Sequence, residues 1–206
     1  TSYARSHTIA RISDGNLRDM RTAGLNRIHI GLESGSDQVL EMTKKGVSKE
    51  IHIKAGVKVK RAGIELSEYV MPGLGGQRFS KDHALETADA LNHINPDFIR
   101  LRTLAIPNRV PLFDEFSKGR FKKCTDRMMV KEIMLFLENL NGIDSMIKSD
   151  HILNLFQEVE GKLPGEKDRI LAPLRAFARL DPERQCLYQV GRRLGIFSRL
   201  SDMENA

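Results

Sequence analysis

Cysteine is scarce in this chain: its 206 residues hold two, Cys124 and Cys186, far apart and in no C-x-x-C spacing. That excludes a disulfide framework, suits a cytosolic (cytoplasmic) setting, and leaves too few thiolates for a cluster bound by three or four cysteines. Long apolar runs are missing too, and nothing approaches the ~18 residues of a membrane span. Residues 1–5 have no apolar core of a secretory leader, and the missing initiator Met suggests a processed or excised product. His7, His29, His52, His83, His93 and His151 form no H-E-x-x-H pair. No Ser–His–Asp set follows from spacing. Gly73-Leu74-Gly75-Gly76 is neither a G-x-G-x-x-G nor a Walker loop. Beyond strand–helix alternation there is no internal repeat and no low-complexity tract.

What is present is an ordinary globular composition. A hydrophobic content of 40% supports a real core, and the length fits one compact domain with an appendage. The net charge of +6 permits anionic partners without requiring them. Basic residues are spread out, with Arg120-Phe121-Lys122-Lys123 the one small cluster, so nucleic acid is permitted but unsupported.

Periodicity predicts alternating helices and strands. Ser13 caps a helix that Gly24 ends. Residues 27–32 alternate as a strand, with Ile28, Ile30 and Leu32 on one face and His29, Gly31 and Glu33 on the other. Ser36 caps a short helix over 37–43, Gly46 stops it, and Ser48 opens the helix over 49–61. A second strand covers 64–71, where Glu68 breaks the apolar parity. After the Pro72–Gly76 turn, Ser80 caps a helix, and residues 98–104 form a third strand with Arg100 and Arg102 on one face. Each crossover is long enough for parallel pairing, and right-handed crossovers set the helices outside a curved sheet. Further on, 126–140 reads as an amphipathic helix and Met146-Ile147 as an edge strand or turn. Residues 151–159 read as a helix, 161–167 as a linker, and Asp181-Pro182-Glu183 as a helix start.

The strand faces opposite the helices then carry His29, Glu33, Ser67, Tyr69, Arg100 and Arg102. Buried charges must be paired or used. Two readings follow: a ligand-binding lumen, or a salt-bridge layer between Glu33 and arginines. His29 suits a hydrogen-bonded interior imidazole better than a ligand or base, and His83 and His93 fall on a helix surface. Lys44-Lys45 either complements a helix dipole or reaches back over the strand ends to an anion.

Gly31-Leu32-Glu33-Ser34-Gly35-Ser36-Asp37, Lys44-Lys45-Gly46, Tyr69-Val70-Met71-Pro72-Gly73-Leu74-Gly75-Gly76 and Asn95-Pro96-Asp97-Phe98-Ile99-Arg100, in that order, resemble the radical S-adenosylmethionine (radical SAM) enzymes. The likeness is to the branch with oxygen-independent coproporphyrinogen oxidase, the tRNA methylthiotransferases and the Elongator catalytic subunit. It implies an α/β fold, the C-terminal half of a TIM-like (β/α)6 barrel over 1–125, with a mainly helical C-terminal extension over 126–206. It implies a cofactor pocket of Glu33, Ser34, Lys45, Tyr69, Met71, Gly73 and Thr103, and substrate-facing His29, Arg100 and Arg102. The implied cofactors are S-adenosylmethionine and a 4Fe-4S iron-sulfur cluster, which together yield a 5′-deoxyadenosyl radical acting on an unspecified substrate. The C-x-x-x-C-x-x-C motif of these enzymes is absent and is expected ahead of Thr1, so the fragment is expected to be inactive alone. Two rivals stand beside this reading: a non-catalytic RNA- or protein-binding module, and a phosphate-binding (β/α) barrel enzyme with its anion site at Gly73-Leu74-Gly75-Gly76. Open sheet edges invite pairing with a second copy.

Overall fold

A computed structural model describes residues 1–205; residue 206, the end of the expected extension, lies outside the described residues. The chain builds a six-stranded sheet in the order β1 (Ser2–Ala4), β2 (Arg27–Glu33), β3 (Glu65–Val70), β4 (Phe98–Leu101), β5 (Met146–Lys148), β6 (Gly161–Lys162). The first five strands pair in parallel and β6 closes the edge antiparallel to β5. This is the sheet of a partial barrel, with strands in sequence order and helices as crossovers. Helices α1 (Ser6–Arg11), α4 (Lys49–Arg61), α5 (Gly76–Ile94), α7 (Asp126–Glu138) and α8 (Lys167–Arg179) pack neighbour to neighbour along one face. Shorter α2 (Asp14–Thr22), α3 (Asp37–Met42) and α6 (Pro111–Ser117) fill the connections, and α9 (Pro182–Arg193) follows α8.

Local chemistry explains most boundaries. Ser13 and Ser48 accept from the amides of Asn16 and Ile51, as N-caps do. Asp181 does the same for Arg184 ahead of Pro182. Asn95 ends α5 in the left-handed conformation, φ 49°. Asp97, in the following turn, takes the Leu66 amide at 2.8 Å and the Lys60 ammonium at 2.6 Å, which fixes β4 against β3.

Several expectations are corrected. Thr43 caps α3 and Lys44 turns the chain at φ 54°, before Gly46. The Ser36 side chain makes no cap bond. α5 begins at Gly76 and breaks at Phe79 (φ −115°, ψ 17°), so Ser80 sits just past a kink and spends its hydroxyl on Glu132. β4 ends at Leu101. Residues 151–159 hold turns instead of a helix, because Asn154 and Ser149 bond Leu101, Thr103 and Phe156 across the loop. Part of 161–167 is strand, and Met146–Lys148 is a paired inner strand. One apolar core runs from Ile9 through Ile147 and Phe177 to Met203, so the later elements share the core of the earlier ones.

Register sets the two faces. Ile30, Glu68, Ile99 and Ile147 align across the sheet and are all buried. Glu68 is fully buried there, and neither of its carboxyl oxygens has a hydrogen-bond partner among the described residues. Burial holds its pKa well above the ordinary value; the nearby Leu32 backbone and the Lys45 charge pull the other way without a bond of good geometry. Replacing a lone buried carboxyl by an apolar group of similar volume removes this desolvation penalty. Glu68→Leu is therefore expected to stabilise the chain by about 2 kcal/mol at pH 7, and Glu68→Gln by less. Urea denaturation checks this, and a Glu68→Leu chain that is less stable than the parent refutes it.

Candidate functional site

The C-terminal end of β2 is bulged. Its pairing with β3 shifts between Gly31 and Glu33. Glu33 takes the left-handed conformation, φ 62°, while its carbonyl accepts the Met71 amide at 3.0 Å. A non-glycine residue there is strained, and such strain is concentrated at ligand sites. The bulge aims the carboxylate at Lys45, whose ammonium pairs with Glu33 Oε1. Thus Lys45 reaches back over the strand ends, and no Glu33–arginine layer forms. Gly31 leaves room for this pair: a Cβ there would sit 3.0 Å from Glu33 Oε1 and 3.4 Å from Lys45 Nζ.

Around the pair opens a cleft of about 280 Å³, lined by Tyr3, Gly31, Glu33, Tyr69, Val70, Met71 and Arg102. It lies at the C-terminal ends of parallel strands, where α/β folds place ligands. Beside it runs a ladder of rings. Tyr3 stacks on His29 at 4.9 Å, His29 on Tyr69 at 5.9 Å, and the Arg102 guanidinium lies 4.7 Å from the Tyr69 centroid. Burial, reinforced by the Arg100 and Arg27 charges, lowers the His29 pKa and favours the neutral ring. Among the described residues His29 Nδ1 and Ser67 Oγ have no hydrogen-bond partner. The expected hydrogen-bonded imidazole is thus a stacked one. Arg100 is tied to Asp150 at 2.7 Å, with its Nε buried and unpartnered. Arg102 has no carboxylate partner among the described residues.

Beneath the cleft, a buried polar network joins the strand-end turns. Its centre is His83 of α5, 2% exposed, where a solvated histidine was expected. His83 faces inward because it sits beside Ala84 and one turn before Thr87 on the buried stripe of α5. Its Nε2 is 3.1 Å from the Met71 carbonyl and its Nδ1 is 2.8 Å from Ser34 Oγ. The carbonyl can only accept, so Nε2 carries the proton and Ser34 donates to Nδ1. Burial holds the His83 pKa down to about 4, against the upward pull of the Met71 carbonyl. Glu132 of α7 lies 3.7 Å from the same ring. Its Oε1 accepts the Gly73 amide at 2.6 Å and its Oε2 accepts from Ser80. Burial pushes the Glu132 carboxyl up to about 7, although both bonds favour the anion.

The residues singled out in the sequence therefore divide. Glu33, Lys45, Tyr69, Met71 and Arg102 gather at the cleft. Ser34 is fully buried under the turn and accepts the Ser36 amide. The Gly73 amide, which a phosphate would need, is already held by Glu132. Thr103 faces the loop after β5, where its amide and hydroxyl both meet Asn154 Oδ1. His29 and Arg100 border the cleft beside Tyr69, and Arg100 bends away to Asp150. Glu132 escaped the sequence reading, yet it left a signal: a lone carboxylate on the apolar stripe of Met129, Ile133 and Phe136.

The donor set bears differently on the two groups that the resemblance implies. A carboxylate, an ammonium, ring faces and a guanidinium in one cleft fit the hydroxyls, the charged ends and the adenine of S-adenosylmethionine. The residues do not fit an iron–sulfur cluster. Among the described residues no group of three or more His, Cys, Asp or Glu side chains converges. Cys186 is exposed, and burial with the Glu132 charge pushes the Cys124 thiol up to about 11, away from thiolate character. Among the described residues no helix is long and apolar enough to cross a membrane.

Comparison with known proteins completes the picture. Residues 5–91 match the family model described as Radical SAM superfamily. A tRNA uridine(34) acetyltransferase of Methanocaldococcus infernus is 25% identical over 122 residues, 59% of this chain and 23% of that protein. The protein of the same name from Methanocaldococcus jannaschii is 24% identical over 107 residues, 52% of this chain and 20% of that protein. The chain thus spans less than a quarter of the length of these curated relatives. The solved archaeal Methanocaldococcus infernus Elp3 with its N-terminus (1–46) deleted superposes with a TM-score of 0.58 at 18% identity, over 95% of this chain and 42% of that one. At that identity the likeness is one of fold.

Proposed function

We infer, from the match of residues 5–91 to the radical SAM superfamily model, that this chain supplies the cofactor-positioning and substrate-facing part of a radical SAM enzyme. The observation that carries this reading is the Glu33–Lys45 pair, held by a strained bulge at the mouth of a ring-lined cleft. Glu33 serves the ribose and methionyl region of S-adenosylmethionine, Lys45 its carboxylate, and Tyr69 with Met71 its adenosine. Ser34 and Gly73 act from beneath, by fixing the two turns through His83 and Glu132. Thr103, held by Asn154, sets the end of β4. When bound, the cofactor supplies a carbon–sulfur bond open to reductive cleavage. With no ligand set for a 4Fe-4S cluster among the described residues, this chain binds and orients but carries out no reductive step alone. A cytoplasmic setting belongs to the same reading, as does a core over 1–125 extended by 126–206.

Arg102 meets the substrate, because Arg100 is engaged by Asp150 while Arg102 has no carboxylate partner among the described residues. An anion is the matching chemistry, and His29 offers a neutral stacking face beside it. RNA is the anion we favour. The two curated relatives are named for tRNA uridine, and stacked rings beside a guanidinium suit a nucleobase and its phosphate.

Calorimetric titration with S-adenosylhomocysteine tests the cofactor assignment. Glu33→Ala and Tyr69→Ala are each expected to weaken binding about tenfold, or about 1.4 kcal/mol. Glu65→Ala, at the opposite end of the sheet beside Arg27, is expected to leave it unchanged. No binding by the parent chain, or undiminished binding by Glu33→Ala, overturns the assignment.

A further inference from the structure

A larger cavity lies apart from the cleft, separated from it by backbone. The chain at Met71-Pro72 and Arg102-Thr103 forms the wall: Met71 and Arg102 line the cleft, while Pro72 and Thr103 line the cavity. Bonds from Arg102 N to Val70 O (2.9 Å) and Leu104 N to Pro72 O (3.1 Å) close that wall. The cavity measures about 770 Å³, within the range of small-molecule sites. Of its lining, Pro72 alone falls in the stretch that matches the superfamily. The rest comes from β4, α7, the loop after β5, α8 and the end of α9.

Its base and lip are apolar, and the polar Ser149 and Asn154 of its lining are bonded within the chain. Leu101, Val130 and Phe156 are buried at its base, and Met129 and Ile133 of α7 are partly exposed beside them. At the lip Ile152 is 80% and Leu153 53% exposed, apolar side chains turned to water on a short loop. The charges on the rim are all engaged within the chain. Asp126 pairs with Arg193, and Asp150 pairs with Arg100. Arg192 donates to the carbonyls of Asn154, Leu155 and Phe197. A charged ligand finds no unengaged counter-charge on this rim and must compete with pairs already made within the chain. An uncharged, mainly apolar ligand gains by covering the base and lip and disturbs none of them.

We propose that this cavity is a binding site for an uncharged, mainly apolar small molecule, independent of the cofactor cleft. The inference does not rest on the proposed function. Titration of the whole chain with the neutral fluorophore N-phenyl-1-naphthylamine tests it. Saturable binding at one equivalent is expected, and the anionic analogue 8-anilinonaphthalene-1-sulfonate is expected to bind at least about tenfold more weakly. Ile133→Trp fills the cavity and is expected to weaken the neutral probe at least about tenfold. Since Ile133 borders the core, Leu153→Arg at the exposed lip provides a second variant that spares folding, expected to weaken the probe about fivefold. S-adenosylhomocysteine affinity is expected to be unaltered by Leu153→Arg. The proposal fails if the probe binds the parent no more tightly than Leu153→Arg, or if the anion binds as well as the neutral probe.

Discussion

Gly35→Ala is expected to lower the melting temperature by roughly 6–12 °C, the shift produced by about 3 kcal/mol or more in a chain of this size. Gly35 sits in the turn between β2 and α3, and its amide donates to Thr87 Oγ1 at 2.9 Å. A Cβ there would lie 2.8 Å from both the Glu86 carbonyl carbon and the Thr87 Cα, with the Glu86 oxygen nearer still. All three atoms are backbone of α5, so no side-chain rotation relieves the contact and the helix itself must move. That movement pulls on His83, one turn away, and through it on Ser34 and Met71. Loss of stability and loss of S-adenosylhomocysteine affinity are therefore expected together. Gly15→Ala is the control. Its Cβ would meet only Ser13 Oγ at 3.8 Å, inside α2, where Ala in place of Gly adds about 0.4–1 kcal/mol. Thermal melts followed by circular dichroism separate the two. A Gly35→Ala chain that melts with the parent refutes the close-packing argument.

The parts of this fold that were legible in the sequence are those written in local chemistry. Ser13, Ser48 and Asp181 announce helices by capping, and the alternation of Ile28 and Ile30 against His29 and Gly31 announces a buried strand with one apolar face. The ordered motifs around Glu33, Lys45 and Tyr69 led to the superfamily whose model matches residues 5–91. What was hidden depends on contacts distant in the chain. The bulge at Leu32 follows from how β2 meets β3, and it alone puts Glu33 at φ 62° opposite Lys45. His83 looked solvated because helical spacing alone does not show that Ser34 and Met71 wait across the interface. The turns at 151–159 carry a helix-like pattern, yet Asn154 reaches Leu101 and Thr103, more than forty-five positions away, and holds the loop open. β5 is three residues long, too short to give a period, and became a strand because β4 offered an edge.

Glu132 and the histidines impose opposite pH dependences, which gives a prediction of comparable size. Burial raises the Glu132 carboxyl from its ordinary 4.5 to about 7 in the folded chain. The folded state therefore binds this proton more tightly than the unfolded state, and the associated stability is present below 4.5 and lost as pH rises to about 7. A shift of that size is worth about 3 kcal/mol. His83 and His52 are buried bases lowered from 6.5 to about 4, so their contribution is full above 6.5 and lost as pH falls to about 4. Glu132→Gln keeps an acceptor for the Gly73 amide and a polar partner for Ser80, but it cannot ionise. The variant is expected to match the parent near pH 4.5 and to exceed it by up to about 3 kcal/mol at pH 8, with the difference opening between those limits. Both chains lose the histidine contribution below pH 6.5, but between pH 6.5 and 4.5 the parent regains the Glu132 contribution and so falls less steeply than the variant. Urea titrations at a series of pH values provide the measurement. A difference between variant and parent that is constant with pH would mean that Glu132 titrates alike in the folded and unfolded chains, which refutes the upward push by burial.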